Sequence, residues 1–179
     1  TAIKMLGFSQ VSETAVGAEI LSKEHSRLFA EESAPMLSTA CPVIVNLVEK
    51  YYPQAASFLA PLISPMVAHG KYLKKKFPDA KVVFIGPCIA KIDEARKPEA
   101  ENAIDAVITF KDLENWLEDA GIDVSSLEES GFDGVKARTA RLFPIGGGML
   151  RTAELSTDIL DPEVVCIEGL DECHDMIIR

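Results

Sequence analysis

Residues 81–88 read Lys-Val-Val-Phe-Ile-Gly-Pro-Cys, and this stretch decides the fold class. A continuous apolar run that ends at Gly and Pro is typical of a strand buried on both faces of a parallel sheet. A second run of this kind, Ala106–Phe110, leads into a helical pattern at Lys111–Ala120 that Gly121 closes. The recurring order of strand, loop and helix predicts an α/β fold with mostly parallel sheets flanked by helices.

Helical patterns and further apolar runs fill the rest of the chain. Helices are expected at Ala18–Glu31, from Pro42 to Pro53, at Pro65–Phe77, from Met149 and from Leu170. Further buried strands are expected at Met36–Ala40, Thr139–Phe143 and Val164–Ile167. Residues 123–138 are interpreted as a loop that could separate a first lobe, 1–122, from a strand-loop-helix continuation, 139–179.

Composition and chain ends limit the classes of protein that this sequence can be. A net charge of -10 argues against a nucleic-acid partner, because phosphate-binding surfaces concentrate Lys and Arg. No apolar run is long enough for a membrane span, and no signal pattern is present, so the cytoplasm is the expected compartment. The chain opens in the last turns of a helix and stops inside another helical pattern, so we expect a fragment of a larger domain.

Two of the cysteines have a context that suits metal binding. Cys41 and Cys88 each follow an apolar run directly and are each bordered by Pro, which places both thiols on stiff loops at the carboxyl edge of the predicted sheet. A thiolate at a helix N-terminus is stabilised by the helix dipole and suits iron binding. From spacing alone, two buried free cysteines remain an open alternative.

Several short motifs together resemble the cluster-binding domain of iron-only (FeFe) hydrogenases. Ser-Thr-Ala-Cys-Pro at 38–42, with the helix that ends in Tyr-Tyr-Pro at 51–53, is similar to the first cluster motif of that family. Gly-Pro-Cys-Ile-Ala-Lys-Ile-Asp-Glu at 86–94 resembles the second motif. The Ser-Pro pair at 64–65 and the Asp-Ala-Val strand from 105 match features between and after these motifs.

The resemblance implies a cofactor, an activity and a set of site residues. Cys41 and Cys88 would be two of the four thiolate ligands of a 4Fe-4S cluster bridged to a diiron subsite with carbonyl and cyanide, together called the H-cluster. Lys91 would donate a hydrogen bond to a cyanide, and Pro87 and Ser64 would belong to the same cofactor-binding set. The implied reaction converts H2 to protons and electrons with a redox or accessory iron-sulfur partner. The third family motif is absent and expected beyond the end of the chain, so this fragment is expected to be inactive and to hold no intact cluster.

Departures from the family pattern favour the sensory branch, whose members are joined to signalling domains and turn H2 over slowly. Ala40 stands where catalytic members have a Cys that passes protons to the diiron site. Arg27 and Ala60 stand at the relay carboxylate and serine, whereas Glu24 keeps the outer carboxylate. Because proton transfer needs donors and acceptors within hydrogen-bond reach, this route is broken at three positions.

Other readings of the same residues stay open. An iron-sulfur scaffold of cluster assembly would keep cysteines without a diiron site, and Lys91 speaks against it. A metal-free interaction domain would use Cys41 and Cys88 as buried thiols. Cys166 in an apolar strand and Cys173 in a helix are expected to be structural, with a Cys173-His174 metal site as the alternative. His25 and His69 are expected to have surface or packing roles.

Overall fold

The computed structural model describes residues 1–31, 34–156, 158, 161 and 163–178. The α-helices are α1 Ala2–Met5, α2 Ala15–Glu31, α3 Pro42–Tyr51, α4 Pro65–Lys76, α5 Ala90–Glu94, α6 Phe110–Asp119, α7 Gly148–Thr152 and α8 Leu170–Ile177. The strands are β1 Val83–Gly86 and β2 Ala106–Thr109, and short 3-10 helices lie at Pro53–Phe58, Pro98–Ala100, Val124–Ser126 and Ala140–Leu142. Within these residues, no helix combines the length and the apolarity that crossing a membrane requires.

The two strands form a small parallel sheet, which confirms the predicted α/β class. Val83 lies opposite Ala106 and Gly86 lies opposite Thr109, so both strands end at the same edge. Thr109 then caps α6: its hydroxyl accepts from the Asp112 backbone N-H, and the Asp112 carboxylate accepts from the Thr109 backbone N-H. The loop after β1 and the first turn of α6 therefore emerge side by side.

Three predicted strands are wrong. Met36–Ala40 makes a single parallel bridge, between Leu37 and Leu59, and is otherwise irregular. Thr139–Phe143 contains the 3-10 helix Ala140–Leu142, and Val164–Ile167 has no strand pairing. Each run has the right residue types, but strand formation depends on a neighbouring strand, and none lies beside them in the described residues. The division into lobes at 1–122 and 139–179 stays a prediction.

Hydrogen bonds and ion pairs of two carboxylates, Asp133 and Glu13, connect the N-terminal segment with the end of the 123–138 loop and with Arg141 just after it. The Asp133 carboxylate accepts from the Val11 backbone N-H and from the Lys4 ammonium, both at 2.8 Å, and the Asp133 N-H donates to the Val11 carbonyl at 2.7 Å. The Glu13 carboxylate accepts from the Ala137 N-H at 2.9 Å and from the Arg141 guanidinium at 2.8 and 3.0 Å. This bidentate pair lowers the pKa of Glu13 and keeps the carboxylate charged.

Helices α2 and α4 pack closely enough for their backbones to touch. A Cβ atom added at Gly17 would lie 2.1 Å from the Pro65 carbonyl oxygen and 2.8 Å from the His69 Cβ. The first turn of α4 is therefore held against α2 at a distance that only glycine allows. In the same helix, Met66 and Val67 are almost fully buried. They form a core cluster with Ala100 and Ala103 that packs against the sheet.

Asp105 fixes the start of β1 relative to α4. Its carboxylate accepts from the Val82 backbone N-H at 2.7 Å and pairs with the ammonium groups of Lys81 at 3.0 Å and Lys74 at 2.6 Å. These contacts, with Lys74 the largest, hold the pKa of Asp105 well below its usual range. Lys74 belongs to the last turn of α4, so this ion pair connects the end of the helix with the start of the sheet.

Replacing Gly17 by Ala should destabilise the fold by about 1–3 kcal/mol, because the added methyl group overlaps backbone atoms of α4 that cannot rotate away. Urea unfolding monitored by circular dichroism measures this loss. Gly131→Ala is the matched control, since a Cβ atom there has its nearest neighbour at 4.0 Å, the mobile end of Lys136. Equal unfolding midpoints for the two variants would show that α2 and α4 do not pack as described.

Replacing Asp105 by Asn should lower the free energy of unfolding by about 1–2 kcal/mol at neutral pH, because charge-assisted hydrogen bonds are lost. The pKa of Asp105 is depressed in the folded state, so its stabilisation is present above the unfolded value of about 4 and declines as the pH falls below it. The difference between wild type and variant should therefore shrink from about pH 7 to about pH 3. Asp79→Asn, at an exposed position, is the control, and a difference that stays constant over this range would contradict the assignment.

Candidate metal centre

Cys41 lies at the beginning of α3 on a loop that is tied down by its neighbours. Its backbone is extended, Pro42 is the first residue of the helix, and the side chain is free and exposed. The Thr39 hydroxyl donates to the Leu62 carbonyl at 2.6 Å, and the Ser38 hydroxyl points to a methionine sulfur on α7. The thiol thus lies at a helix N-terminus, after a loop that side-chain hydrogen bonds of Ser38 and Thr39 hold in place.

Cys88 lies in the turn that connects β1 with α5. β1 ends at Gly86, Pro87 follows, and the Cys88 carbonyl accepts from the Lys91 backbone N-H at 3.2 Å as α5 begins. The Cys88 thiol is free and half-buried. The structure therefore places this cysteine at the carboxyl end of a parallel strand, as the sequence predicted.

The two cysteine-bearing loops lead into helices that pack against each other. Helix α3 contacts α5, and the Lys97 ammonium just beyond α5 pairs with the Glu49 carboxylate of α3 at 2.9 Å. Each thiol therefore lies just before one of two helices that contact each other. The prediction that Cys41 follows a strand is wrong, but the arrangement of the two loops does not depend on it.

Lys91 forms an ion pair that is largely buried. Its ammonium contacts the Glu94 carboxylate at 2.7 Å, one helical turn away, and the two side chains are 13% and 11% exposed. An ammonium has three donors, and this contact occupies one of them. The remaining donors are available for an anionic group near the Cys88 turn.

Ser64 has a structural task that the sequence motif alone did not reveal. It is 2% exposed and forms the N-cap of α4, where its hydroxyl accepts from the Val67 backbone N-H at 3.5 Å. Ser64 also borders a cavity of about 310 Å³ that Thr39, Pro42 and Glu94 line from the other sides. Residues of the first motif, the Ser-Pro pair and the second motif thus surround one hollow.

The other two cysteines do not complete a four-ligand set. Cys166 is exposed in an irregular segment rather than in a strand, and its sulfur accepts from the Gly147 N-H at 3.1 Å. Cys173 lies on α8, and its pKa is raised by burial and, to a smaller extent, by the charge of Cys41. In the ranges that the structure describes, no three His, Cys, Asp or Glu side chains converge as a metal site. His174 hydrogen-bonds Tyr52, and the alternative of a Cys173-His174 metal site stays a prediction.

The resemblance implies proton-relay positions at Arg27, Ala60 and Ala40, and the structure shows the surroundings of these residues. Arg27 is exposed, and its guanidinium pairs with Glu24 at 3.0 Å and with Glu31, contacts that raise the pKa of Arg27. Ala60 is buried and has no hydroxyl, and Ala40 has no thiol. Glu24, which the resemblance implies is the outer carboxylate, forms an exposed ion pair with Arg27.

His25 and His69 are both buried, so of the two expected roles packing is confirmed rather than a surface role. The His25 ring lies edge-on to Phe143, and its Nδ1 contacts the Leu21 carbonyl at 2.9 Å. The His69 ring is 4% exposed, stacks on Tyr72, and its Nε2 lies 3.2 Å from the Ser12 hydroxyl. The Ser12 contact spans 57 residues, so no local pattern could have revealed it.

Comparisons with known proteins agree with these loops. The model of the iron-only hydrogenase large subunit, C-terminal domain, matches residues 1–176. The chain is 31% identical over 173 residues to iron hydrogenase 1 of Clostridium pasteurianum. This alignment covers 86% of this chain and 30% of the hydrogenase. It is also 34% identical over 96 residues to the cytosolic Fe-S cluster assembly factor NAR1 of Kluyveromyces lactis, with 54% of this chain and 20% of the factor covered.

A solved structure shows the same fold. A variant of apo FeFe-hydrogenase HydA1 from Chlamydomonas reinhardtii superposes with a TM-score of 0.68 at 28% identity, over 85% of this chain and 45% of that one. The chain thus spans less than half the length of these relatives. Because the family model matches nearly every residue and the fold agrees, this chain belongs to the family of the iron-only hydrogenase large subunit, C-terminal domain.

Proposed function

We propose that this chain supplies two thiolates and one cation to the H-cluster of a hydrogenase-type domain that, when complete, senses H2 or converts it slowly and reversibly to protons and electrons. The observation that carries this proposal is the position of Cys41 and Cys88 as free thiols before two adjoining helices. Lys91 follows Cys88 by one helical turn. Thiolates are the ligands that iron-sulfur clusters use, and an ammonium suits an anionic ligand beside them.

The residues present fit one side of such a cofactor. Cys41 and Cys88 would ligate the 4Fe-4S part, Lys91 would donate a hydrogen bond to a cyanide of the diiron part, and Pro87 and Ser64 would border it. When bound, the cofactor supplies the redox chemistry and the site at which H2 reacts. The Glu94 carboxylate binds the Lys91 ammonium at 2.7 Å and limits the directions in which it can point. Two thiolates of four do not enclose a cubane, so we propose that this chain alone holds no intact cluster and is inactive.

Slow turnover follows from the side chains at the positions that the resemblance assigns to the proton relay. General acid-base transfer requires a chain of groups that each donate and accept a proton. Ala40 and Ala60 cannot do this, and the Glu24 carboxylate is paired with Arg27. These replacements support sensing or slow conversion of H2 rather than rapid catalysis.

The partners and compartment follow from the same proposal. Electrons released from H2 need an acceptor, so we propose a redox partner or an accessory iron-sulfur domain, and a signalling domain if the protein is a sensor. Free thiols at a ligand site persist in a reducing compartment, which favours the cytoplasm. The assembly factor among the relatives is named cytosolic, whereas one hydrogenase relative is named periplasmic.

An iron-sulfur scaffold is the second candidate function. The similarity to the assembly factor NAR1 favours it, since that relative matches about half of this chain. A scaffold has no diiron subsite and no use for a cation at its edge, so the Lys91-Glu94 pair speaks against it. A metal-free interaction domain is a weaker reading, because Cys41 is exposed rather than buried.

Infrared spectroscopy separates these functions. The experiment uses the polypeptide that carries this sequence together with the rest of the family domain, matured with the diiron cofactor. Carbonyl and cyanide bands that shift under H2 are expected. Visible iron-sulfur absorption without carbonyl and cyanide infrared bands would favour the scaffold. The absence of the visible absorption and of the infrared bands would favour the metal-free domain.

In the same polypeptide, Lys91→Met should weaken or abolish the cyanide bands while iron-sulfur absorption persists, because Lys91 would donate a hydrogen bond to the diiron part and is no ligand of the 4Fe-4S part. Lys71→Met, at an exposed position of α4, is the matched control and should leave both signals unchanged. Loss of the iron-sulfur absorption together with the cyanide bands would contradict the role given to Lys91.

Replacing Ala40 by Cys should raise the rate of H2 conversion by roughly tenfold to hundredfold, because a proton donor is restored next to Cys41. The rate is measured by gas chromatography on matured protein with equal iron content. Ala40→Val adds volume without a transferable proton and should give no increase. If Cys and Val change the rate equally, proton delivery at this position does not limit turnover.

A further inference from the structure

A second and larger cavity lies away from the cysteines. It has a volume of about 500 Å³ and is bounded by the segment before α2, by α4, by the sheet and by α6. Its size falls within the usual range of small-molecule sites. Neither Cys41, Cys88, Lys91 nor Ser64 lines it, so it is separate from the candidate metal centre.

The walls of this cavity are mainly apolar, and phenylalanines contribute a part of them. Five phenylalanine rings from different parts of the chain surround it: Phe8, Phe77, Phe84, Phe110 and Phe132. Phe110 is 52% exposed and Phe132 is 49% exposed, so the rim is open to solvent. Rings that converge from several elements offer edge and face contacts to a small aromatic body.

One end of the cavity carries a neutral polar pair. The Ser12 hydroxyl and the His69 Nε2 lie 3.2 Å apart, and the His69 side chain is more than nine-tenths buried. Burial lowers the pKa of His69, so the imidazole is uncharged near neutral pH. A hydroxyl has one donor and two acceptor positions, so Ser12 can bind His69 and still accept a hydrogen bond from a ligand.

The charged residues at the cavity are already paired. Glu13 is bound by the Arg141 guanidinium and by the Ala137 backbone N-H, and Lys81 is bound by Asp105. A charged ligand would lose its hydration in this apolar space without meeting a counter-ion. A neutral ligand with a hydroxyl group meets no such penalty.

We propose that this cavity binds a small neutral molecule with an aromatic body and one hydroxyl group, which the Ser12-His69 pair recognises. The rings supply contact area, and the polar pair fixes the orientation of the molecule by accepting its O-H. The site is independent of the proposed function, because it shares no lining residue with the candidate cluster ligands.

Titration of the isotope-labelled 179-residue chain with matched probes tests this proposal by NMR. The probe is 4-methylphenol, compared with toluene, which lacks the hydroxyl, and 4-methylbenzoate, which is charged. Saturable shifts at residues 8–14 and 65–76 are expected for 4-methylphenol, with a Kd on the order of 1 mM, as suits so small a ligand. Toluene should bind more weakly, and 4-methylbenzoate should give no saturable shifts.

Two variants identify the recognition element. Ser12→Ala should weaken 4-methylphenol roughly fivefold, the effect of one lost hydrogen bond. His69→Phe keeps an aromatic ring beside Tyr72 and should remove the preference for 4-methylphenol over toluene. Ser126→Ala, in the 3-10 helix Val124–Ser126 and outside the cavity lining, is the control.

The proposal is overturned by three outcomes. Wild-type protein that shows no saturable shifts with 4-methylphenol does not have this site. Equal binding of 4-methylphenol and 4-methylbenzoate would contradict the selection for a neutral ligand. A preference for 4-methylphenol over toluene that survives in both folded variants would show that Ser12 and His69 do not recognise the hydroxyl.

Discussion

The close approach of α2 and α4 at Gly17 is the constraint from which both cavities take their shape. Because the Pro65 carbonyl occupies the space that a side chain at position 17 would need, the first turn of α4 has one position against α2. That turn carries Ser64 at its cap, which borders the smaller cavity, and His69 one turn later, which ends the larger one. A glycine outside every family motif thus positions residues in two separate sites.

The candidate metal centre depends on loops more than on the sheet. Cys88 gets its place from β1, whereas Cys41 follows a segment with only one bridge, and hydrogen bonds from Ser38 and Thr39 hold that loop instead. The helices that follow the two cysteines, α3 and α5, contact each other. Hydrogenases and assembly factors both match this part of the chain, so the polar groups around the cysteines must distinguish the two functions. We propose Lys91 as the residue on which that distinction rests.

Much of the fold and the core of the candidate site could be predicted from local sequence. The runs before Gly86 and after Asp105 are continuous and apolar, and both are strands in the structure. Residues 164–167 have the same character, yet Val165 is 72% exposed and no strand pairs with it in the described residues. A short apolar run indicates that a strand is favourable, but it does not indicate whether a neighbouring strand is there to pair with it. The contacts of Ser12 with His69 and of Glu13 with Arg141 join distant parts of the chain, so they had no sequence signal.

The small sheet has a consequence for how this polypeptide behaves at high concentration. In the described residues β1 and β2 pair only with each other, so each has an outer edge whose backbone groups are not used by a neighbouring strand. Edges of this kind on apolar strands act as templates for pairing between molecules. The backbone N-H and C=O groups at the outer edges of β1 and β2 can therefore pair with strands of other molecules, and this chain is expected to self-associate when it is concentrated by itself. Low concentration and short storage favour the monomer.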